Sequence, residues 1–220
     1  MMMRIMPRAF DDLGSSAVEF ALIAPLLLLL SFGVIDGGLL LWRINTAEKA
    51  TQMGARAAIV SDPVAGGLET YTAYDAPFNL NAGSSLTDAA GVAVPTVLAV
   101  CDMDGCECDE IAELCSPVNS TAFSFIVERM RSVLPALGPE NVLVEYSYIG
   151  LGVAGRPGGA IVPAVRVQLQ DFTYSWVLLD VLIAIGRQLY GGEGDVAPRG
   201  DVVLPSFSTT LTGEDLLSDT

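Results

Sequence analysis

With 26 acidic against 11 basic side chains among 220 residues, the chain carries a formal charge of −15 and would repel nucleic-acid backbones, so nucleic-acid binding is excluded as a reading. There is no histidine, which removes His-based acid/base catalysis, triads that use His, and every histidine metal site. The length suits one membrane anchor and one modest globular domain, and the apolar fraction of 51% is concentrated early in the chain and near residue 180.

The first element is a short polar leader, MMMRIMPRAFDDLG, residues 1–14, ahead of a long apolar run. From Phe20 to Trp42 about 23 residues are almost all apolar, and at about 1.5 Å rise per residue such a helix spans a hydrocarbon core of about 30 Å. A secretory signal peptide does not fit. Its apolar region is shorter, and no small-residue cleavage site follows Trp42, where Arg43, Ile44 and Asn45 stand instead. The small residue that could mark a cut, Gly14, lies before the run, so cleavage there keeps the helix in the product.

Inside the run Ser31, Asp36, Gly33, Gly37 and Gly38 interrupt a leucine-rich background, Glu19 stands immediately before it, and Pro25 is tolerable because neighbouring groups resupply freed backbone bonds in a span. A carboxylate costs roughly 2.5 to 3.5 kcal/mol at mid-bilayer and less near the interface. Ser15 and Glu19 form an i,i+4 pair, so an amine freed at Ser15 would offer Glu19 a positive partner. Two readings of Asp36 stand side by side: a packed helix contact beside small residues, or a position near the far interface, six residues before Trp42.

Gly14, then Glu19 as the fifth residue after it, then Phe20 and ALIAPLLLLLSFGVIDGG resemble the leader of type IV pilins and, more narrowly, the TadE-like family of tight-adherence (Flp-type) pilus assembly proteins. The resemblance implies a pilin-like α+β fold and cleavage after Gly14 by a prepilin peptidase, leaving Ser15 as the new N-terminus. It also implies that Glu19, followed by Phe20, acts as the assembly carboxylate. It places the chain in the bacterial inner membrane with other pilins and pilus assembly proteins as partners, and makes it a minor pilin or pseudopilin for surface attachment, not an enzyme. Its N-terminus would be cytoplasmic and its C-terminal domain extracytoplasmic, retained in the membrane or incorporated in an extracellular pilus. The alternative is a single-span envelope protein whose acidic domain binds calcium or an extracellular partner.

Beyond the span, WRINTAEKATQMGARAAIV places Ile44, Ala47, Ala50, Gly54 and Ala57 near one helical face, so residues 15–61 read as transmembrane helix and stem. Residues 62–220 are then the globular domain, expected to hold an antiparallel sheet of three or four strands and one or two short helices. Residues 62–98 read as loop with at most a short strand.

All four cysteines fall in CDMDGCECDEIAELC, an acidic loop over 101–115. Spacing C-x4-C-x-C-x6-C without histidine argues against zinc. Two disulfides fit better, with Cys101 joined to Cys106 or Cys108 and Cys115 to the other, in an oxidising compartment. Calcium is a third reading, in which Asp102, Asp104, Glu107, Asp109 and Glu110 supply hard oxygens, although DMDG lacks one ligand position of an EF-hand loop; otherwise no cofactor is expected. This cysteine-rich middle departs from the usual shape of the family.

A turn at Ser116 and Pro117 precedes STAFSFIVERMRSVLP, a helix capped at Ser120 with Phe123, Val127, Met130 and Leu134 on its apolar face. The G-x-G-x-x-G match GLGVAG, Gly150 to Gly155, follows a strand, but Arg156, Pro157, Gly158 and Gly159 prevent the helix a dinucleotide site needs, so a glycine-rich hairpin is expected. WVLLDVLIAIG, residues 176–186, is too short to span and reads as a buried or membrane-facing helix. DVVLPSFSTTLTG reads as a last strand before a polar tail, and this C-terminal order again resembles TadE-like chains.

Overall fold

The computed structural model describes residues 11–75, 77–88, 93–108, 110–178, 180–181 and 202–213. In chain order these form helix α1 (Asp11–Val60), the short α2 (Gly67–Thr70), strands β1 (Val97–Cys101) and β2 (Cys106–Glu107), and helix α3 (Ser120–Arg131). Strands β3 (Val142–Gly152), β4 (Ile161–Leu169), β5 (Thr173–Tyr174), β6 (Val202–Val203) and β7 (Phe207–Thr212) follow. The α+β class and the long N-terminal helix match the sequence reading.

The chain divides into two compact units. One comprises α1 as far as Trp42 and the segment beginning at Tyr174; the other comprises Arg43–Thr173 and the strand region from Val203. Elongation of α1 through the first unit is favoured by leucines and alanines, and it continues without a break through Pro25.

The second unit is built on an antiparallel sheet of order β2-β1-β3-β4-β7, five strands where three or four were expected. The extra strands are short: β2 has two residues, and VLAVC of β1 closes the stretch read as loop. Pairing explains how so short a strand persists, because β1 is hydrogen-bonded between β2 and the eleven-residue β3. The expected last strand is likewise two pieces, β6 pairing with β5 in a separate ribbon and β7 pairing with β4.

Alternation in β3 buries Val142, Val144 and Tyr146 while Glu145 faces outward opposite Arg166 of β4, with 3.6 Å between their charged groups. Val165, Val167 and Leu169 of β4 line the same core. The stem of α1 covers it with Ala47, Ala50, Thr51, Gly54 and Ala58, side chains small enough for close approach to the sheet. Thr51 Oγ1 lies 3.0 Å from Thr209 Oγ1 of β7.

α3 contributes Phe123, Val127 and Met130, and Leu134 follows, buried as the apolar spacing predicts, and Ile126 joins them. Each such side chain stabilises the fold by about 1.5 to 3 kcal/mol. Its cap is Asn119 rather than Ser120: Asn119 Oδ1 accepts from Ala122 N–H at 3.0 Å. The amide oxygen reaches the third N–H of the helix, which leaves Ser120 as its first residue. The Ser116–Pro117 bond at the preceding turn is cis.

The GLGVAG stretch ends β3 and enters a hairpin loop to β4, with no helix opening there. Gly155 has φ +74° and Gly159 φ +101°; a Cβ would meet the Tyr74 hydroxyl at the first and the Leu68 carbonyl at the second. Gly155 N–H donates to Thr72 O at 3.0 Å and Ala160 N–H to Tyr71 O at 2.7 Å. The glycines therefore serve close backbone approach within this unit.

Candidate functional site

Gly14 and Ser15 lie in the first turns of α1, whose range begins at Asp11. One turn further, Glu19 is exposed and Phe20 is 72% exposed. Val18, Leu22, Ile23, Leu26 and Leu30 are exposed as well, so an apolar surface surrounds the carboxylate on the helix. Ser16–Val60 is long and apolar enough to cross a membrane. Ser31 solves its own polarity, donating Oγ–H to the Leu27 carbonyl one turn back at 2.8 Å. Around Gly33, Gly37 and Gly38 nothing lies where a Cβ would project.

Asp36 differs from Glu19 in being fully buried. Leu178 N–H donates to its carboxylate, 3.2 Å from Oδ1 and 3.2 Å from Oδ2, across 142 positions of sequence. Both residues belong to the first unit. Tyr174 stacks edge-on against Trp176 in the same segment, ring centroids 5.8 Å apart. The sequence reading identified the apolar run 176–186 and the odd carboxylate separately; nothing local joins them. Residues 182–186 of that run lie outside the described residues.

The four cysteines form two bridges, Cys101–Cys106 and Cys108–Cys115. The β1–β2 ladder selects this pairing, since Cys101 and Cys106 are directly opposed in register. Between them Asp102 Oδ1 accepts from Asp104 N–H at 2.8 Å and Gly105 N–H at 3.1 Å, while Asp102 N–H donates to Gly105 O at 2.9 Å. One carboxylate oxygen of the calcium reading is thus engaged in closing the turn. Asp104, Glu107 and Glu110 are exposed, and Asp109 lies outside the described residues. Among the described residues no three acidic or cysteine side chains converge as a metal site.

A small cavity of about 190 Å³ is lined by Gly67, Thr70, Tyr71, Asp75 and Glu113. The Tyr71 phenol is pushed up to about 12 by burial first, then by the negative charges of Glu113 and Asp75. Burial likewise raises Tyr146.

Residues 14–56 match the family model described as TadE-like protein. The match opens on Gly14 and includes Ser15, Glu19, Phe20 and Asp36. The TadE-like resemblance read from the leader and the span is therefore borne out over this segment. The match links residues 14–56 to a family associated with the tight-adherence pilus, and among the described residues one helix, Ser16–Val60, is long and apolar enough to cross a membrane. No curated protein and no solved structure matches the chain.

Proposed function

Taking the TadE-like match as premise, we propose that this chain is a minor pilin or pseudopilin of a tight-adherence type IV pilus, inserted in the inner membrane and serving pilus biogenesis and surface attachment rather than catalysis. One observation carries the reading: the family match begins on Gly14, the glycine that sequence reasoning marks as the processing residue. Prepilin peptidase removes the leader after Gly14, and Ser15 gains a free amine of ordinary pKa near 7.7 to 8.0. Glu19 lies one helical turn from that amine and is exposed at the helix surface, within reach of the amine of its own chain or of a neighbour. In apolar surroundings such a charge pair is strong enough to set register between subunits. The two disulfides support an oxidising compartment for the second unit, hence a cytoplasmic N-terminus.

N-terminal sequencing of the membrane-extracted chain, from cells with a working prepilin peptidase, tests the reading. A product starting at Ser15 is expected, and Glu19→Ala should spare cleavage while lowering incorporation into pili. Retention of the first fourteen residues would leave instead a tethered envelope protein with an acidic interaction domain.

A further inference from the structure

We propose that Trp176, Val177 and Val181 form a second membrane contact, lying at the boundary of headgroups and acyl chains beside α1, and that Asp36 holds them there. Asp36 sets the depth. It stands six residues before Trp42, roughly 9 Å along the helix axis at 1.5 Å per residue, inside the apolar stretch. Its neighbours Val34, Ile35, Leu41 and Trp42 are exposed, so lipid covers the helix on both sides of the carboxylate. Asp36 itself is fully buried, with the Leu178 N–H 3.2 Å from both oxygens. Whatever segment carries Leu178 is therefore at the depth of Asp36.

The chemistry of that segment suits this level. Val177 and Val181 are each 52% exposed and lie four residues apart, presenting apolar surface outward. Both tryptophans of the chain, Trp42 and Trp176, belong to this unit, and Tyr174 rests against Trp176. Tryptophan concentrates where hydrocarbon meets headgroups, because its ring is apolar and its N–H needs a polar neighbour. Lipid is the occupant because the exposed valines continue the apolar surface of a helix that lipid already surrounds. Asp36 and the Leu178 N–H solve each other's problem, since an unmet amide donor and an unmet carboxylate are each costly away from water. The inference rests on the membrane span alone and is independent of processing at Gly14.

Quenching of tryptophan emission tests it on the full chain in phosphatidylcholine vesicles. With Trp42→Phe, Trp176 is the sole tryptophan; with Trp176→Phe, Trp42 calibrates the span. Lipid brominated near the headgroup end of its chains should quench Trp176 several-fold more than aqueous iodide does. Stronger quenching by iodide would overturn the proposal by placing the segment in water. Protection from both quenchers that disappears on dilution with lipid would overturn it too, by assigning the surface to a second copy of the chain. In the Trp42→Phe background, Asp36→Asn keeps an acceptor and should keep the lipid quenching, whereas Asp36→Leu should shift Trp176 toward iodide. Unchanged lipid quenching in Asp36→Leu would overturn the holding role of the carboxylate.

Discussion

The Tyr146 hydroxyl accepts a hydrogen bond from Val64 N–H at 2.9 Å, joining the centre of β3 to the chain just beyond α1. Tyr146 is fully buried, and so is Val64, so no water can replace either partner. Tyr146→Phe keeps the ring and removes the acceptor, leaving a buried amide donor unmet. That should cost about 1 to 3 kcal/mol. The measurement is a denaturant midpoint on detergent-solubilised protein, and a shift within error of the parent would show that Val64 N–H finds another acceptor.

Gly54 marks a close approach of the stem to the core. A Cβ there would stand 2.7 Å from Met130 Sδ and 3.1 Å from Val167 Cγ1. Helix propensity alone favours replacing glycine, by about 1 kcal/mol for alanine. Packing opposes it, and the opposition grows with side-chain size. Gly54→Val should therefore destabilise by about 1 to 3 kcal/mol despite its removal from the membrane span. Met130→Ala should relieve part of that loss, because the thioether is the first atom struck. A double-mutant cycle with no coupling would refute the contact.

The two long helices and the hairpin were legible because each is a local pattern: an apolar run, a 3.6-residue period at Phe123, Val127 and Met130, and a glycine cluster between alternating strands. Strand β1 was not, since five residues after a Gly- and Ala-rich stretch owe their conformation to β3, whose sequence lies some forty residues later. The disulfide pairing stayed open for a related reason. Cys101 reaches either Cys106 or Cys108 by spacing, and only the opposed register of β1 and β2 chooses. Of the candidate site, Gly14 and Glu19 were visible in the leader, while the partner of Asp36 at Leu178 has no sequence signal at all.

That register gives the disulfides a measurable order of importance. The Cys101–Cys106 and Cys108–Cys115 loops span 5 and 7 positions, so the loop-entropy contribution is similar for both, about 2 kcal/mol each. Their surroundings differ: Cys101 is fully buried at the end of β1, and Cys108 and Cys115 are half-buried. Replacing Cys101 and Cys106 together by serine adds a hydroxyl in the core to the lost loop constraint. The pair should cost more stability than serine at Cys108 and Cys115. Peptide mapping of the unreduced protein should recover the two short-range bridges, and a 101–108 linked peptide would contradict the ladder.

Alkali tests the surroundings of Tyr71. Its phenol is pushed up to about 12, mainly by burial and then by Glu113 and Asp75. Up to about pH 10, the ordinary phenol value, folded and unfolded chains are both protonated and the full stability is present. Above that pH the unfolded chain releases the proton while the folded chain retains it, so stability falls as pH rises toward about 12. Tyr146, raised by burial, adds to the fall in the same direction. Tyr71→Phe should flatten the pH dependence without abolishing it. Added salt should weaken only the share due to Glu113 and Asp75, because ions screen charge and leave burial unchanged. Denaturant midpoints across this range, with phenolate absorbance followed alongside, decide the matter: a Tyr71→Phe profile parallel to the parent would mean that the phenol titrates alike in both states.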